Sequence, residues 1–372
     1  MAEAPAAAPS RLVTPLVFGE TFGANDISLW QLDDHLAQQI DAGAPLEIKA
    51  GTENAGAVLC STDATYTIKI ADVTDAHYFV QPEEGTKDPL VFSDEPRHIR
   101  GNVSSYFELH RTAPSSEQLM RLLRPQPYTG PTADLASIGI SSAALRQSLL
   151  ASATEIDQLL RLHDVVEHDG RAFLLEPSYA REVLDHILTT AAAEDLELTQ
   201  LPLNVVAGKL VEFDVPHFAV RGVLHAHGED LGDGLFKVDP IKVCRTRAIE
   251  IFVATDNPDW QLSSFLNTWQ NLAGDECPVD VSMLGGLALV SERAVTTGDE
   301  DNRIITYFPE SELPQQVKAR FQALFRQQPI WTDAEIRPYL TPLSTKYQTV
   351  EQMLLQHARL FTRKGVKLYN AK

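Results

Sequence analysis

The stretch from Trp331 to Lys372, WTDAEIRPYLTPLSTKYQTVEQMLLQHARLFTRKGVKLYNAK, restricts the possible folds of this chain more than any other part. Thr332-x-x-Glu335 and Thr349-x-x-Gln352 are both capping-box patterns, so each marks a helix start. On a helix running on from Thr349, Val350, Leu354, Ala358 and Phe361 share one face. Gln352, Gln356, Arg359 and Arg363 share another, at i, i+4, i+7 and i+11. Val366–Tyr369 then reads as a strand that points Lys367 away from Val366 and Leu368. Two capped helices, a polar and cationic stripe and a closing strand are what a small DNA-binding module needs. The plain alternative is a solvated helix face followed by a basic tail.

Charge separates this end from the rest. The chain has 372 residues and a formal net charge of −20. Residues 1–120 carry about −11 and residues 121–302 about −15, whereas residues 303–372 carry about +6. An acidic protein is repelled by nucleic acid as a whole. A local cluster still binds, because the Debye length is only about 8 Å at physiological salt. DNA contact is therefore expected at Lys346, Arg359, Arg363, Lys364, Lys367 and Lys372, which would grip phosphates and release counterions.

At this length two to four domains are expected. Residues 1–10 are Ala/Pro-rich, lack a charged n-region, and read as a disordered tail. Residues 11–111 read as a small β domain of six or seven strands. Its clearest signal is AVLCSTDATYTIKIADVTDAHYFV: Val58–Cys60, a turn, then Tyr66, Ile68 and Ile70 alternating with Thr67, Lys69 and Ala71. A second turn is expected at Asp72–Asp75. So small a sheet is expected to leave an edge that takes a partner. Residues 112–136, rich in Pro and Gly, read as a linker with one short helix near Glu117–Leu123.

Beyond it the pattern is helical. Ser141–Ala151 is a helix, Ser152-x-x-Glu155 caps another, Val165–Leu175 is a hairpin turning at His168-Asp169-Gly170, and Pro177 opens a third helix. Two helices, a hairpin and a further helix are a winged-helix pattern. It recurs loosely, giving three units at 137–200, 201–312 and 313–372. Between the helices of the second, 228–234 reads as a Gly/Asp loop; Gly286–Glu292 and Ile304–Phe308 pair across an acidic loop. The expected fold class is α+β.

Enzyme signals are poor. The sequence contains no G-x-x-x-x-G-K-[ST], G-x-S-x-G, H-E-x-x-H or C-x-x-C. His225-x-His227, with Asp230 and Asp233 after it, is the one close histidine pair; a helix end running into a loop accounts for it without a metal. Glu83-Glu84 and Asp299–Asp301 read as solvated acidic loops. Cys60, Cys244 and Cys277 have no metal-type spacing and fit reduced, mostly buried thiols of a cytosolic or nuclear protein. No run of some eighteen apolar residues exists to span a membrane. No cofactor, metal or catalytic residue is expected.

AVLCSTDATYTIKIAD (Ala57–Asp72), GLALV (Gly286–Val290), the stretch Trp331–Leu340 and the ending GVKLYN (Gly365–Asn370) together resemble the sister chromatid cohesion DCC family. The resemblance implies a nuclear, non-catalytic subunit of the alternative replication factor C clamp loader, the form carrying the chromosome transmission fidelity subunits. It implies a composite barrel shared with the small fidelity subunit and the C-terminal tail of the large ATPase subunit. The strands holding Val58, Leu59, Cys60, Tyr66, Ile68 and Ile70 match that barrel. It implies contact with the catalytic subunit of DNA polymerase epsilon, action on the sliding clamp PCNA, and winged helices that bind single- and double-stranded DNA. At the ending it assigns DNA contact to Lys367 and leaves Gly365 and Tyr369 structural.

Two other readings stand beside it. One is a winged-helix scaffold that joins proteins without touching DNA, which the net charge favours. The other is a metal-dependent enzyme using His225 and His227.

Overall fold

The computed structural model describes residues 15–20, 22–23, 27–51, 56–80, 96–255, 259–274, 277–292, 302–344, 348–363 and 365–372. The expected tail at 1–10, both acidic loops, Lys346 and Lys364 lie outside these residues. The chain is mixed α and β. It divides into two compact units: Met1–Thr112 with Leu150–Glu155, and Ala113–Leu149 with Ile156–Lys372.

The first unit is built on β1 (Leu16–Phe18), β2 (Trp30–Gln31), α1 (Asp34–Asp41), β3 (Glu47–Ala50), β4 (Ala57–Cys60), β5 (Thr65–Val80) and β6 (Arg97–Thr112). The sheet order is β1-β6-β5-β4-β3, with β2 pairing β6 further along. Alternation at Tyr66–Ile70 marks β5 correctly. The expected turn at Asp72–Asp75 is instead a register shift between Asp72 and His77, within one continuous strand. A bulge takes up the extra turn-type residues because β6 pairs on both sides of it. Helix α1 was not foreseen. Asp33 caps it, its carboxylate accepting from the Leu36 N–H at 2.8 Å, and wholly buried Leu36 packs with Leu59, Ala64 and Tyr66.

The second unit repeats one arrangement of helix, short strand, two helices and a hairpin. The first copy is α2 (Ser116–Leu123), β7 (Ile140–Ser141), α3 (Ser142–Ser148), α4 (Ala153–Leu162), β8 (Val166–His168) and β9 (Arg171–Phe173). The second is α5 (Pro177–Ala193), β10 (Leu201–Pro202), α6 (Leu203–Leu210), α7 (His217–His227), β11 (Gly228–Gly232) and β12 (Leu235–Val238). The third is α8 (Pro240–Val253), β13 (Asp259–Gln261), α9 (Leu262–Ala273), β14 (Ala288–Glu292) and β15 (Arg303–Tyr307), with a 3-10 turn at Val281–Leu284 in place of its last helix. The fourth is α10 (Val317–Gln327), β16 (Ile330–Thr332), α11 (Asp333–Leu340), α12 (Val350–His357), β17 (Ala358–Arg363) and β18 (Val366–Ala371). In every copy the last strand of the hairpin is central, flanked by the short strand and its hairpin partner.

Four copies replace the three expected. The missing one turns on β11 and β12, which span the stretch read as a Gly/Asp loop. Asp233 and Gly234 both have positive φ, at 52° and 76°, as the two central residues of a tight hairpin turn require. The presumed linker is also packed: Leu119 and Leu123 are wholly buried in α2, and Tyr128 is 3% exposed and pairs with Leu175. Tyr128, Phe173, Val206, Phe218 and Phe236 belong to one apolar cluster, so the first two copies share a core across the expected boundary at residue 200. Gly139, just before β7, has φ +59°, and a Cβ there would stand 2.2 Å from the Ala172 carbonyl oxygen, so only glycine fits.

Candidate functional sites

Two surfaces invite partners. The first is the edge of the sheet. Strand β4 pairs with β5 only at Thr65–Thr67, while β6 pairs with β5 along most of its length. From Ile68 onward β5 therefore has a strand neighbour on one side only, among the described residues. Among those residues its other edge has no strand partner, and it offers backbone donors and acceptors to an added strand. Ile70 and Tyr78 on β5 are 68% and 53% exposed. Among the residues assigned to partner binding, Val58, Leu59, Cys60 and Tyr66 are buried in this chain's own core. Ile68 packs against that core from its margin. Only Ile70 presents its side chain to solvent. The feature of these strands left open to an added strand, among the described residues, is thus an edge, which apolar periodicity does not mark.

A polar cluster fixes this end of β5. The Tyr66 hydroxyl donates to the Asp33 carboxylate at 3.3 Å, and Arg111 Nε donates to it at 3.0 Å. Burial raises the Asp33 pKa, but the Leu36 N–H and Arg111 outweigh it and leave the carboxyl below its ordinary range. Thr65 Oγ1 and Ser152 Oγ both donate to Glu155, so the expected Ser152 cap is joined to the sheet.

The second surface is the hairpin of the fourth module. Both expected capping boxes form, at Thr332 with Glu335 and at Thr349 with Gln352. The helix that starts at Thr349, however, ends at His357. Arg359 and Arg363 are not on a recognition helix; they lie on β17, paired residue by residue with β18 from Ala358↔Ala371 to Arg363↔Val366. Leu360, Phe361 and Thr362 are aromatic, apolar and β-branched residues that suit a strand, and the positive φ of Gly365 (78°) turns the chain back. Gln352 is occupied in its cap, accepting from the Thr349 N–H at 2.9 Å.

Strand geometry redistributes the cations. Side chains two residues apart share a face, and paired residues share it too. Arg359, Phe361 and Arg363 therefore stand with Val366, Leu368 and Asn370 on one face. Leu360 and Thr362 stand with Lys367 and Tyr369 on the other, the face of wholly buried Trp331. Arg359 and Arg363 are exposed and flank half-buried Phe361. Phe361 was missed as a surface residue because the helical reading put it in the apolar core; the alternation Arg359-x-Phe361-x-Arg363 was the signal. Lys372 Nζ instead donates to the Leu355 and Gln356 carbonyls at 3.1 Å each.

Another cation of this module, Arg337, is paired within it. Arg337 Nε meets Asp333 at 3.0 Å and its Nη1 meets Glu351 at 2.7 Å; the pairing raises the Arg337 pKa and holds both carboxyls below their usual range. The Tyr369 hydroxyl donates to Asp333 at 3.2 Å, so Tyr369 is structural. Arg359, Arg363 and Lys367 form no ion pair among the described residues.

The histidine pair does not converge. His227 is bonded to the Val223 carbonyl and the Thr246 hydroxyl at 3.0 and 2.9 Å. His225 stands 3.4 Å from Arg221 Nε and 3.9 Å from Asp230, in a cleft of about 1300 Å³. Among the described residues no three of His, Cys, Asp and Glu are grouped as a metal ion requires. No helix is long and apolar enough to cross a membrane, among the described residues.

The sequence profile described as "Sister chromatid cohesion protein Dcc1" matches residues 27–340, most of the chain. The chain belongs to the Dcc1 family. Similar proteins include sister chromatid cohesion protein DCC1 of Xenopus laevis, 31% identical over 371 residues covering 96% of this chain and 92% of the relative. The human protein of that name is 29% identical, with 94% and 89% covered. That of Saccharomyces cerevisiae is 22% identical over 51% of each chain. The Dcc1 profile takes in β5 and its edge and stops at the end of α11, so β17 and β18 lie beyond it.

Proposed function

We propose that this chain is a non-catalytic assembly subunit in sister chromatid cohesion, acting in the nucleus as part of the alternative, chromosome-transmission-fidelity replication factor C clamp loader. Its sheet completes a composite barrel with the small fidelity subunit and the C-terminal tail of the large ATPase subunit. This β region also engages the catalytic subunit of DNA polymerase epsilon and so brings the complex to PCNA. The four helical modules are winged helices, and the fourth contacts DNA. The Dcc1 match over residues 27–340 carries the reading, since its relatives are named for cohesion. The one-sided strand β5 supports a shared barrel. The exposed Arg359, Phe361 and Arg363 support a nucleic-acid surface that combines phosphate pairing with base stacking.

Affinity purification of the full tagged chain from nuclear extract tests the assembly. The large ATPase subunit and the small fidelity subunit are expected at equal stoichiometry. Recovery of the chain without either, under low salt, would remove the clamp-loader assignment.

A scaffold without DNA contact is the second reading. It is favoured by the net charge of −20 and by the commitment of Lys372 to helix carbonyls. DNA affinity of the full chain, with and without Arg359 and Arg363, separates the two.

A further inference from the structure

Neither surface uses the cysteines of the third module. Cys244 is buried in α8, and Cys277, beyond the end of α9, is partly exposed; their sulfurs are 2.6 Å apart. Both backbones are held from α9 by neighbouring side chains. The indole Nε1 of Trp269 donates to the Cys244 carbonyl at 2.7 Å. The carboxamide Nε2 of Gln270 donates to the Cys277 carbonyl at 3.2 Å and the Gly274 carbonyl at 2.8 Å, and its Oε1 accepts from the Val279 N–H at 2.9 Å. The two sulfurs are thus fixed together by a helix that carries neither. A disulfide bond of about 2.05 Å is shorter than this contact by little more than half an ångström.

We propose that Cys244 and Cys277 form an oxidisable dithiol, which a peroxide converts to an intramolecular disulfide tying α8 to the segment after α9. Cys277 is the accessible sulfur and reacts first. Its thiolate attacks a peroxide oxygen, the O–O bond breaks, the departing oxygen leaves as water after protonation, and Cys277 becomes a sulfenic acid. The Cys244 sulfur then attacks Cys277. The S–S bond forms, the S–O bond breaks, and the hydroxyl leaves as water with the Cys244 thiol proton. Two thiols lose two electrons and two protons, and one hydrogen peroxide becomes two waters. Burial, with Cys277 beside it, pushes the Cys244 thiol up to about 12, which suits a sulfur that resolves rather than initiates. Cys60, buried in the sheet unit with its thiol also pushed up by burial, is an internal control.

The test is treatment of the full chain with hydrogen peroxide, followed by non-reducing peptide mapping. The expected product has lost two hydrogens, links the Cys244 and Cys277 peptides, leaves Cys60 a thiol, and reverts with dithiothreitol. In Cys244→Ala the reaction stops at a Cys277 sulfenic acid that dimedone traps; in the unaltered chain that trapping is lost. In Cys277→Ser no link forms and Cys244 stays reduced. Accumulation of Cys277 sulfinic acid without a link in the unaltered chain overturns the proposal. So does a link from either cysteine to Cys60 or to another chain. The mapping of the unaltered chain decides the matter even where a variant folds poorly.

Discussion

Lys372 closes the C-terminal end of α12: its ammonium lies 3.1 Å from the carbonyl oxygen of Gln356, and as far from that of Leu355. A cation placed on the last carbonyls of a helix satisfies orphan acceptors and opposes the negative end of the helix dipole. Its basic character therefore has a local use. Lys372→Ala is expected to lower stability by about 0.5–1 kcal/mol in urea unfolding, with DNA affinity unchanged. A loss of affinity at constant stability would return Lys372 to the nucleic-acid surface.

Arg320 is a buried charge in the fourth module. Its side chain has no exposure, yet it donates to the Pro314 carbonyl at 2.7 Å, the Tyr339 carbonyl at 3.0 Å, the Leu313 carbonyl at 3.3 Å and the Glu310 carboxylate at 3.3 Å. Arg320→Met removes every one of these donors and leaves three carbonyls and a carboxylate without them. Breaking a buried pair in this way costs about 3–5 kcal/mol. Arg320→Lys, with one ammonium in place of a fork, should recover only part. A denaturation midpoint for Arg320→Met equal to that of the unaltered chain would show that water replaces these bonds.

What the sequence made legible was what local chemistry decides. The boxes at Thr332 and Thr349 form because Thr, Glu and Gln answer one another within a single turn. The hairpin at Val166–Phe173 forms because Asp169 and Gly170 accept positive φ. Tyr66–Ile70 alternates as a strand does, although its apolar face passes from buried Tyr66 through half-buried Ile68 to exposed Ile70. The misreadings share one cause: a pairing partner far along the chain. Arg359 to Arg363 continues a helical period, but β18 is available to pair it, and the ladder wins. Gly228–Gly232 has no apolar alternation and is a strand only because β12 lies beside it. The Asp72–Asp75 stretch has turn composition, yet β6 holds it extended. The candidate site was legible in residue type, since Arg359, Arg363 and Lys367 were all named. It was not legible in geometry, since a period of 2 puts Lys367 opposite the arginines.

Stability should also carry a histidine signature. His227 Nδ1 donates to the Val223 carbonyl at 3.0 Å, and its Nε2 lies 2.9 Å from the Thr246 hydroxyl. Burial lowers the His227 pKa below 6.5, helped by Lys242 and Arg247, and burial does the same at His163. A histidine with a lowered folded pKa binds its proton more readily in the unfolded chain. Its contribution is therefore complete above the ordinary value and is lost as pH falls below it, toward the folded value. The urea midpoint should hold at about pH 7.5 and drop by about pH 5.5, with a shallower drop in His227→Gln. An equal midpoint at both pH values in the unaltered chain would contradict this.

The edge of β5 that has no strand neighbour among the described residues predicts a separation of stability from assembly. Ile70 is 68% exposed, so Ile70→Asp removes little burial and should shift stability by no more than about 0.5 kcal/mol. The same change puts a charge where an added strand would lie, and edge charges oppose strand pairing. Recovery of the clamp-loader partners by affinity purification should fall sharply while the thermal midpoint of the chain alone stays put. Unchanged recovery would move the partner contact away from this part of β5.

The face of β17 makes the last prediction, which rests on the proposed DNA contact. Arg359 and Arg363 project from one face, with no ion pair among the described residues, and Phe361 lies between them. Two arginines on phosphates release about two counterions, so Arg359→Glu with Arg363→Glu should weaken DNA binding and lower the slope of log affinity against log salt by about 2. Lys367→Glu alone, on the opposite face, should lower it by about 1 or less. Phe361→Ala leaves the charge intact, so its salt slope should not move. Its loss should be confined to single strands, whose bases are free to stack, at about 1–3 kcal/mol per base. Equal losses for single- and double-stranded DNA in Phe361→Ala would rule out stacking and leave the arginines as phosphate contacts alone. An unchanged slope in the double arginine variant would place the DNA surface elsewhere and favour the scaffold reading.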